Sequence, residues 1–276
     1  MPKSKQMAIK AYRNSTFINS PQARILRILS EFIEPMDRFR SENIQDTIVV
    51  FGSARVMSKS SAQSNVAKCR RTIEKSKRSG PQSKSLLQNA MVDVEMSHYY
   101  EDAVKLTYLL TKWSMKLRPH REFLVCSGGG PGIMEAANKG AMKAGGRSVG
   151  LNISLPFEQG SNRFVTPELA FEFHYFFMRK FWFVYPAKAL VMFPGGFGTL
   201  DELMEVLTLI QTKKIKKQMP IVLYGRKYWN SIINFDEMVR HRTISEQDLR
   251  LFKFADTPEE AFGYLTNNLV KLTRQS

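Results

Sequence analysis

Short apolar runs alternate with helix-spaced segments along most of this chain. Thr47 to Phe51, Phe123 to Cys126, Ser148 to Leu155, Ala189 to Phe193 and Ile221 to Tyr224 have the length and continuity of strands buried on both faces. Between them, apolar residues recur at helical spacing. Ile25, Leu26, Leu29 and Ile33 predict an amphipathic helix entered through Ser20-Pro21 and packed on the main domain. Tyr99, Ala103, Leu106, Leu110 and Trp113 predict a long helix over 93–117, ended by Arg118-Pro119. Ile133, Ala136, Ala137, Gly140 and Ala141 make a stripe of mostly small residues, suited to close packing of helix on sheet. A helix around Phe173 to Val184 carries Phe173, Phe176, Phe177, Phe181 and Val184 on one face and Tyr175, Met178, Arg179 and Trp182 on the other. Leu203, Val206, Leu207 and Ile210 predict another helix, and Thr257-Pro-Glu-Glu260 has capping-box spacing before a last one.

Strands alternating with helices predict an α/β fold, a Rossmann-like doubly wound parallel sheet with helices on both faces. The division expected is an N-terminal helical extension over 1–45 and a Rossmann-like domain over 46–276. Ligands of such sheets sit beyond the C-terminal ends of the strands. Gly52-Ser53, Gly128 to Gly132 and Gly195 to Thr199 all fall at such ends, so three turns converge on one crevice.

The stretch Pro194-Gly-Gly-Phe-Gly-Thr-Leu-Asp-Glu202 is the most informative. It reads as strand, tight loop, helix, with Gly195, Gly196 and Gly198 at positive φ and Thr199 as the cap. The N–H groups at such a helix start attract anions, phosphate above all. A glycine loop can also be mere turn geometry. Glu202 argues otherwise, because a carboxylate one turn into a phosphate-binding helix repels the ligand unless it has a task and a cationic partner. Arg179, set among aromatics shortly before the loop, is that partner; the other reading of it is an exposed surface charge.

Composition narrows the picture. The 276 residues are 43% hydrophobic, enough for a sizeable core, and no apolar run approaches the roughly 20 residues needed to span a bilayer. Cys69 and Cys126 form no CxxC pair, and His98, His120, His174 and His241 lack ligand-like spacing, so no metal is expected. The basic start lacks the apolar stretch of a secretory signal, and a cytoplasmic protein is expected. Of the net +16 charge, +11 falls within the first 92 residues. The segment 57–90, rich in Ser, Lys, Arg and Gln, reads as a mobile basic excursion, partly helical. A solvated face that steers anions explains it better than nucleic-acid binding. The Gly128 turn does not match GxGxxG with a ribose-binding acid downstream, so NAD is not inferred and no cofactor is expected.

The chain resembles the LONELY GUY family of nucleoside 5'-monophosphate phosphoribohydrolases, formerly labelled lysine decarboxylase-like. The likeness rests on Pro194 to Glu202, matching the family's PGGxGTxxE, on Met178-Arg179-Lys180, on Gly128-Gly-Gly-Pro-Gly-Ile-Met-Glu135 and on Phe51-Gly-Ser-Ala54. The N-terminal helix and Leu155-Pro-Phe-Glu-Gln159 are similar to longer bacterial members. The likeness covers roughly 47–269, and the segment 57–90 departs from it. It implies Arg179 and Glu202 as the catalytic pair, and Pro194, Gly195, Gly196, Phe197, Gly198 and Thr199 as the phosphate loop. Gly52, Ser53, Gly128, Gly129, Gly130, Met134, Glu135, Glu158, Met178 and Lys180 are placed around the substrate. The implied reaction is hydrolysis of the N-glycosidic bond of AMP or an N6-modified, cytokinin-type nucleotide, giving free base and ribose 5-phosphate. The alternative is a non-catalytic nucleotide-binding or sensing protein. A homodimer or higher homo-oligomer is expected, with no membrane partner. No Schiff-base lysine can be named, so the decarboxylase label finds no support.

Overall fold

The computed structural model describes residues 8–76, 81–117, 122–156 and 160–274. Its strands are β1 (Asp46–Phe51), β2 (Phe123–Ser127), β3 (Ser148–Ile153), β4 (Ala170–Phe173), β5 (Ala187–Met192), β6 (Ile221–Tyr224) and β7 (Lys253–Ala255). They form one sheet in the order β4-β3-β2-β1-β5-β6-β7, parallel at every pairing. The chain winds outward from β1 to β4, then returns to place β5 on the free side of β1. That reversal makes the C-terminal ends of β1 and β5 the topological switch point, where open α/β sheets bind ligands. The doubly wound expectation is borne out.

The helices are α1 (Ser15–Ile18), α2 (Arg24–Ser41), α3 (Lys59–Ser76), α4 (Pro81–Met115), α5 (Ile133–Lys143), α6 (Phe176–Val184), α7 (Phe197–Gln211), α8 (Arg226–Ile232), α9 (Phe235–Arg240) and α10 (Pro258–Arg274). Side chains of β1 alternate between two cores. Val49 and Phe51 join α2, α6, α7, α8 and α9, while Ile48 and Val50 join α4, α5 and α10. Burying a side chain such as Ile48 contributes about 2 kcal/mol relative to leaving it in water.

The structure corrects four expectations. The segment 57–90 is helical over more of its length than expected. It is α3 and the start of α4, which begins at Pro81, twelve residues before the expected Asp93; residues 77–80 lie outside those described. Lys, Arg and Gln are good helix formers, Pro81 suits a first helical position, and buried Ala62 and Ala90 mark the packed sides of an otherwise solvated pair. The stripe Ile25, Leu26, Leu29, Ile33 does not pack on the domain, being 70, 46, 47 and 52% exposed. A second stripe on the same helix, Ile28, Met36 and Phe39, packs instead, and Trp182 Nε1 donates to the Glu31 carbonyl at 2.9 Å. Third, Ala170 to Phe173 is an edge strand, so the aromatic helix starts only at Phe176. Met178, Trp182 and Phe183 are its buried residues, whereas Phe176, Phe177 and Phe181 are exposed. Fourth, the small-residue stripe of α5 is buried, but Gly140 admits α4 rather than the sheet: a Cβ there would run into Thr107 and the Val104 carbonyl. The expected helix end at Arg118-Pro119 falls outside the described residues.

Candidate active site

Backbone hydrogen bonds lock the three turns together at the switch point. Phe193 N donates to Phe51 O at 2.9 Å, Ser53 N to Pro194 O at 2.9 Å and Ile133 N to Ser53 O at 3.0 Å. Gly132 opens α5 at φ +71°, and any side chain on it would strike the backbone of Ser53 and Ala54. A buried amide, Asn138, anchors the middle turn. It accepts from Ser127 Oγ at 2.7 Å and from Asn162 Nδ2 at 3.0 Å, and donates to Ser148 Oγ at 3.0 Å. Asn162 also donates to the carbonyls of Gly129 and Gly130. Those two glycines shape the turn from behind and do not line the cleft.

The loop after β5 differs from expectation in its details. Gly195, Gly196 and Gly198 are not among the glycines with positive φ. Gly196, at φ −88°, is the N-cap of α7, with no side-chain cap, and Thr199 is buried in the first turn instead. The glycines answer to space. A Cβ on Gly195 would collide with the Thr199 side chain, while one on Gly196 or Gly198 would meet nothing within 4 Å. The start of α7, with its unsatisfied N–H groups, is therefore open to a ligand. From α8, Tyr228 donates to Gly195 O at 2.8 Å, and Trp229 Nε1 bonds Met192 O at 3.1 Å, fixing the loop from below.

Glu202, one turn into α7, is 3% exposed and faces a cleft of about 730 Å³. Its Oε2 has no hydrogen-bond partner among the described residues. Burial pushes its carboxyl up to about 7; Lys180 and Arg179 pull it down, and Glu205 and Asp201 add to the rise. Arg179 lines the same cleft with its guanidinium 5.5 Å from the Phe176 ring centroid and 5.3 Å from that of Phe183. The pair expected from sequence thus shares one wall. Lys180 does not join it, because its Nζ lies 2.7 Å from both Asp201 and Glu205, which clamps α6 to α7. Met178 is buried in the core. Glu135 accepts from Tyr100 OH at 2.6 Å and is absent from the cleft lining. Glu158 lies outside the described residues.

Gly52, Ser53, Gly128, Met134, Pro194, Gly195, Gly196, Phe197, Gly198 and Thr199 do line the cleft. So do residues not expected as site residues from sequence, among them Arg55, Asp93, Met96 and Tyr228. Arg55 was legible as the one charge in the turn after β1. The other three carry no local signal.

Residues 134–265 match the family described as possible lysine decarboxylase. Over 140 residues, half of this chain, the sequence is 28% identical to the probable cytokinin riboside 5'-monophosphate phosphoribohydrolase LOGL6 of Oryza sativa subsp. japonica, covering 54% of that protein. Over 148 residues, 48% of this chain, it is 29% identical to 31% of the pyrimidine/purine nucleotide 5'-monophosphate nucleosidase of Escherichia coli (strain K12). The chain thus spans about half, or less, of the length of these curated relatives. A solved structure titled TM1055, a structural genomics target, is 22% identical with a TM-score of 0.45, covering 84% of this chain and 99% of that one. Among the described residues no helix is long and apolar enough to cross a membrane. Through residues 134–265, which carry Arg179 and the loop from Pro194 to Glu202, the chain resembles the LONELY GUY family, and the model that matches there bears the description possible lysine decarboxylase.

Proposed function

We propose that this protein hydrolyses the N-glycosidic bond of a purine nucleoside 5'-monophosphate, AMP or an N6-modified relative, to free base and ribose 5-phosphate. The observation that carries this reading is the buried Glu202 carboxyl, one oxygen unpartnered, beside a helix start left open by Gly196 and Gly198. The phosphate sits on the N–H groups of α7, which brings the ribose alongside Glu202. Departure of the base builds positive charge on the ribose ring, and an ionised Glu202 in a largely desolvated site stabilises that charge and orients the attacking water. With its carboxyl near 7, Glu202 can also accept the proton that the water loses. Arg179 stays protonated, so its part is to hold Glu202 and a ribose or phosphate oxygen in place. Lysine decarboxylation finds less support, since among the described residues no lysine lines the cleft to form a Schiff base.

The same reading takes the exposed apolar face of α2 and α6 as the contact in a homo-oligomer. Ile25, Leu29 and Ile33 continue through Phe32, whose ring is 5.4 Å from Phe181, towards Phe177 and Tyr185. Incubation with AMP, with adenine followed by chromatography, tests the reaction. Release of adenine that disappears in Glu202→Gln supports it; tight AMP binding without turnover supports the sensing alternative.

A further inference from the structure

The cleft has two walls, from opposite faces of the sheet. α6 and α7 supply Arg179, Glu202 and the glycine loop; α4 supplies Asp93 and Met96. Asp93 is half-buried and makes no hydrogen bond or ion pair among the described residues. It and Glu202 are the two carboxylates lining the cleft among the described residues, and the hydroxyl of Tyr228 is already given to Gly195 O. If the phosphate and ribose are engaged on the α7 side, as the nucleotide reading above holds, the base is left to face α4.

An ionised carboxylate only accepts hydrogen bonds. The exocyclic amino group of adenine donates one, whereas the 6-oxo group of hypoxanthine would meet the carboxylate lone pair to lone pair. Met96 and Val56, also on the lining, offer apolar and polarizable surface to the flat ring. We propose that Asp93 sets the base preference, selecting a 6-aminopurine over a 6-oxopurine. A single N6 substituent leaves one N–H to donate and is accepted; two substituents leave none. This inference rests on the nucleotide reading, yet Asp93 lies outside residues 134–265, on α4 just past the segment 57–90 that departs from the family resemblance.

Calorimetric titration of AMP, IMP and N6,N6-dimethyl-AMP into Glu202→Gln protein measures selectivity without turnover. With Asp93 intact, AMP is expected to bind at least about tenfold more tightly than either competitor, the scale of one hydrogen bond to a charged group. Adding Asp93→Asn, an isosteric change whose amide both donates and accepts, brings AMP and IMP to within about twofold, chiefly through a gain by IMP. Equal binding of AMP and IMP with Asp93 intact, or an unchanged ratio in Asp93→Asn, overturns the assignment. Wild-type turnover separates this from the parent reading. Selective AMP binding without cleavage keeps Asp93 in its role and overturns the hydrolase, and failure of every nucleotide to bind overturns both.

Discussion

Replacing Glu202 by glutamine removes a buried negative charge while keeping shape, and its effect on stability can be worked from the site. The folded carboxyl titrates near 7 against an ordinary 4.5, mainly because burial disfavours the ion. That difference corresponds to about 3 kcal/mol, at about 1.4 kcal/mol per pH unit. Because the folded value is raised, the unfolded chain releases its proton first. Wild-type stability therefore falls relative to Glu202→Gln as pH rises from 4.5 to 7, and the difference is constant above and below that window. For a chain of 276 residues this is a relative gain of about 5 °C in Tm for the variant between pH 4.5 and pH 8. Scanning calorimetry across that pH range on both proteins measures it, beside an AMP assay in which the variant loses at least about a hundredfold in kcat. A Tm difference that does not change with pH would mean that Glu202 titrates as an ordinary carboxylate. Full activity in the variant would remove it from the chemistry.

Other expectations follow from the same geometry. If Glu202 acts as the ion, activity rises with pH through about 7, and Arg179→Ala, which removes a cation holding that value down, moves the acid limb of kcat/KM to higher pH; an unmoved limb in a weakly active variant would mean Arg179 does not act on Glu202. Gly198→Val, placed in open space, leaves Tm within about 2 °C but raises KM for AMP, whereas Gly195→Ala collides with Thr199 and lowers Tm. Equal effects of the two in calorimetry and kinetics would contradict the loop assignment. Leu29→Asp or Phe181→Asp breaks the exposed apolar face, and light scattering should show smaller particles than the wild type; a monomeric wild type would refute the oligomer.

The central sheet was readable because β1, β2, β3, β5 and β6 are buried almost throughout and so appear as continuous apolar runs. Edge strands β4 and β7, of four and three residues and partly solvated, leave no such run, and Phe171 and Phe173 merged with the aromatics of α6. The docking face of α2 was misjudged because the helix carries two apolar stripes, and spacing alone does not say which one meets the domain. Within the site, Pro194 to Glu202 was legible because glycines, a helix start and a misplaced carboxylate coincide within nine residues. The Met178-Arg179-Lys180 run looked like a single unit. A helix separates neighbouring side chains by about 100°, so Met178 enters the core, Arg179 faces the cleft and Lys180 turns to Asp201 and Glu205. Asp93 and Tyr228 reach the cleft from helices more than a hundred residues apart, a proximity that only the sheet order creates.

The most direct measurement is product analysis of wild-type protein incubated with AMP near pH 8, where Glu202 is ionised. The mechanism predicts adenine and ribose 5-phosphate in equal amounts, with oxygen from labelled water at C1 of the sugar. Unchanged AMP, or adenosine and inorganic phosphate in place of ribose 5-phosphate, would contradict it.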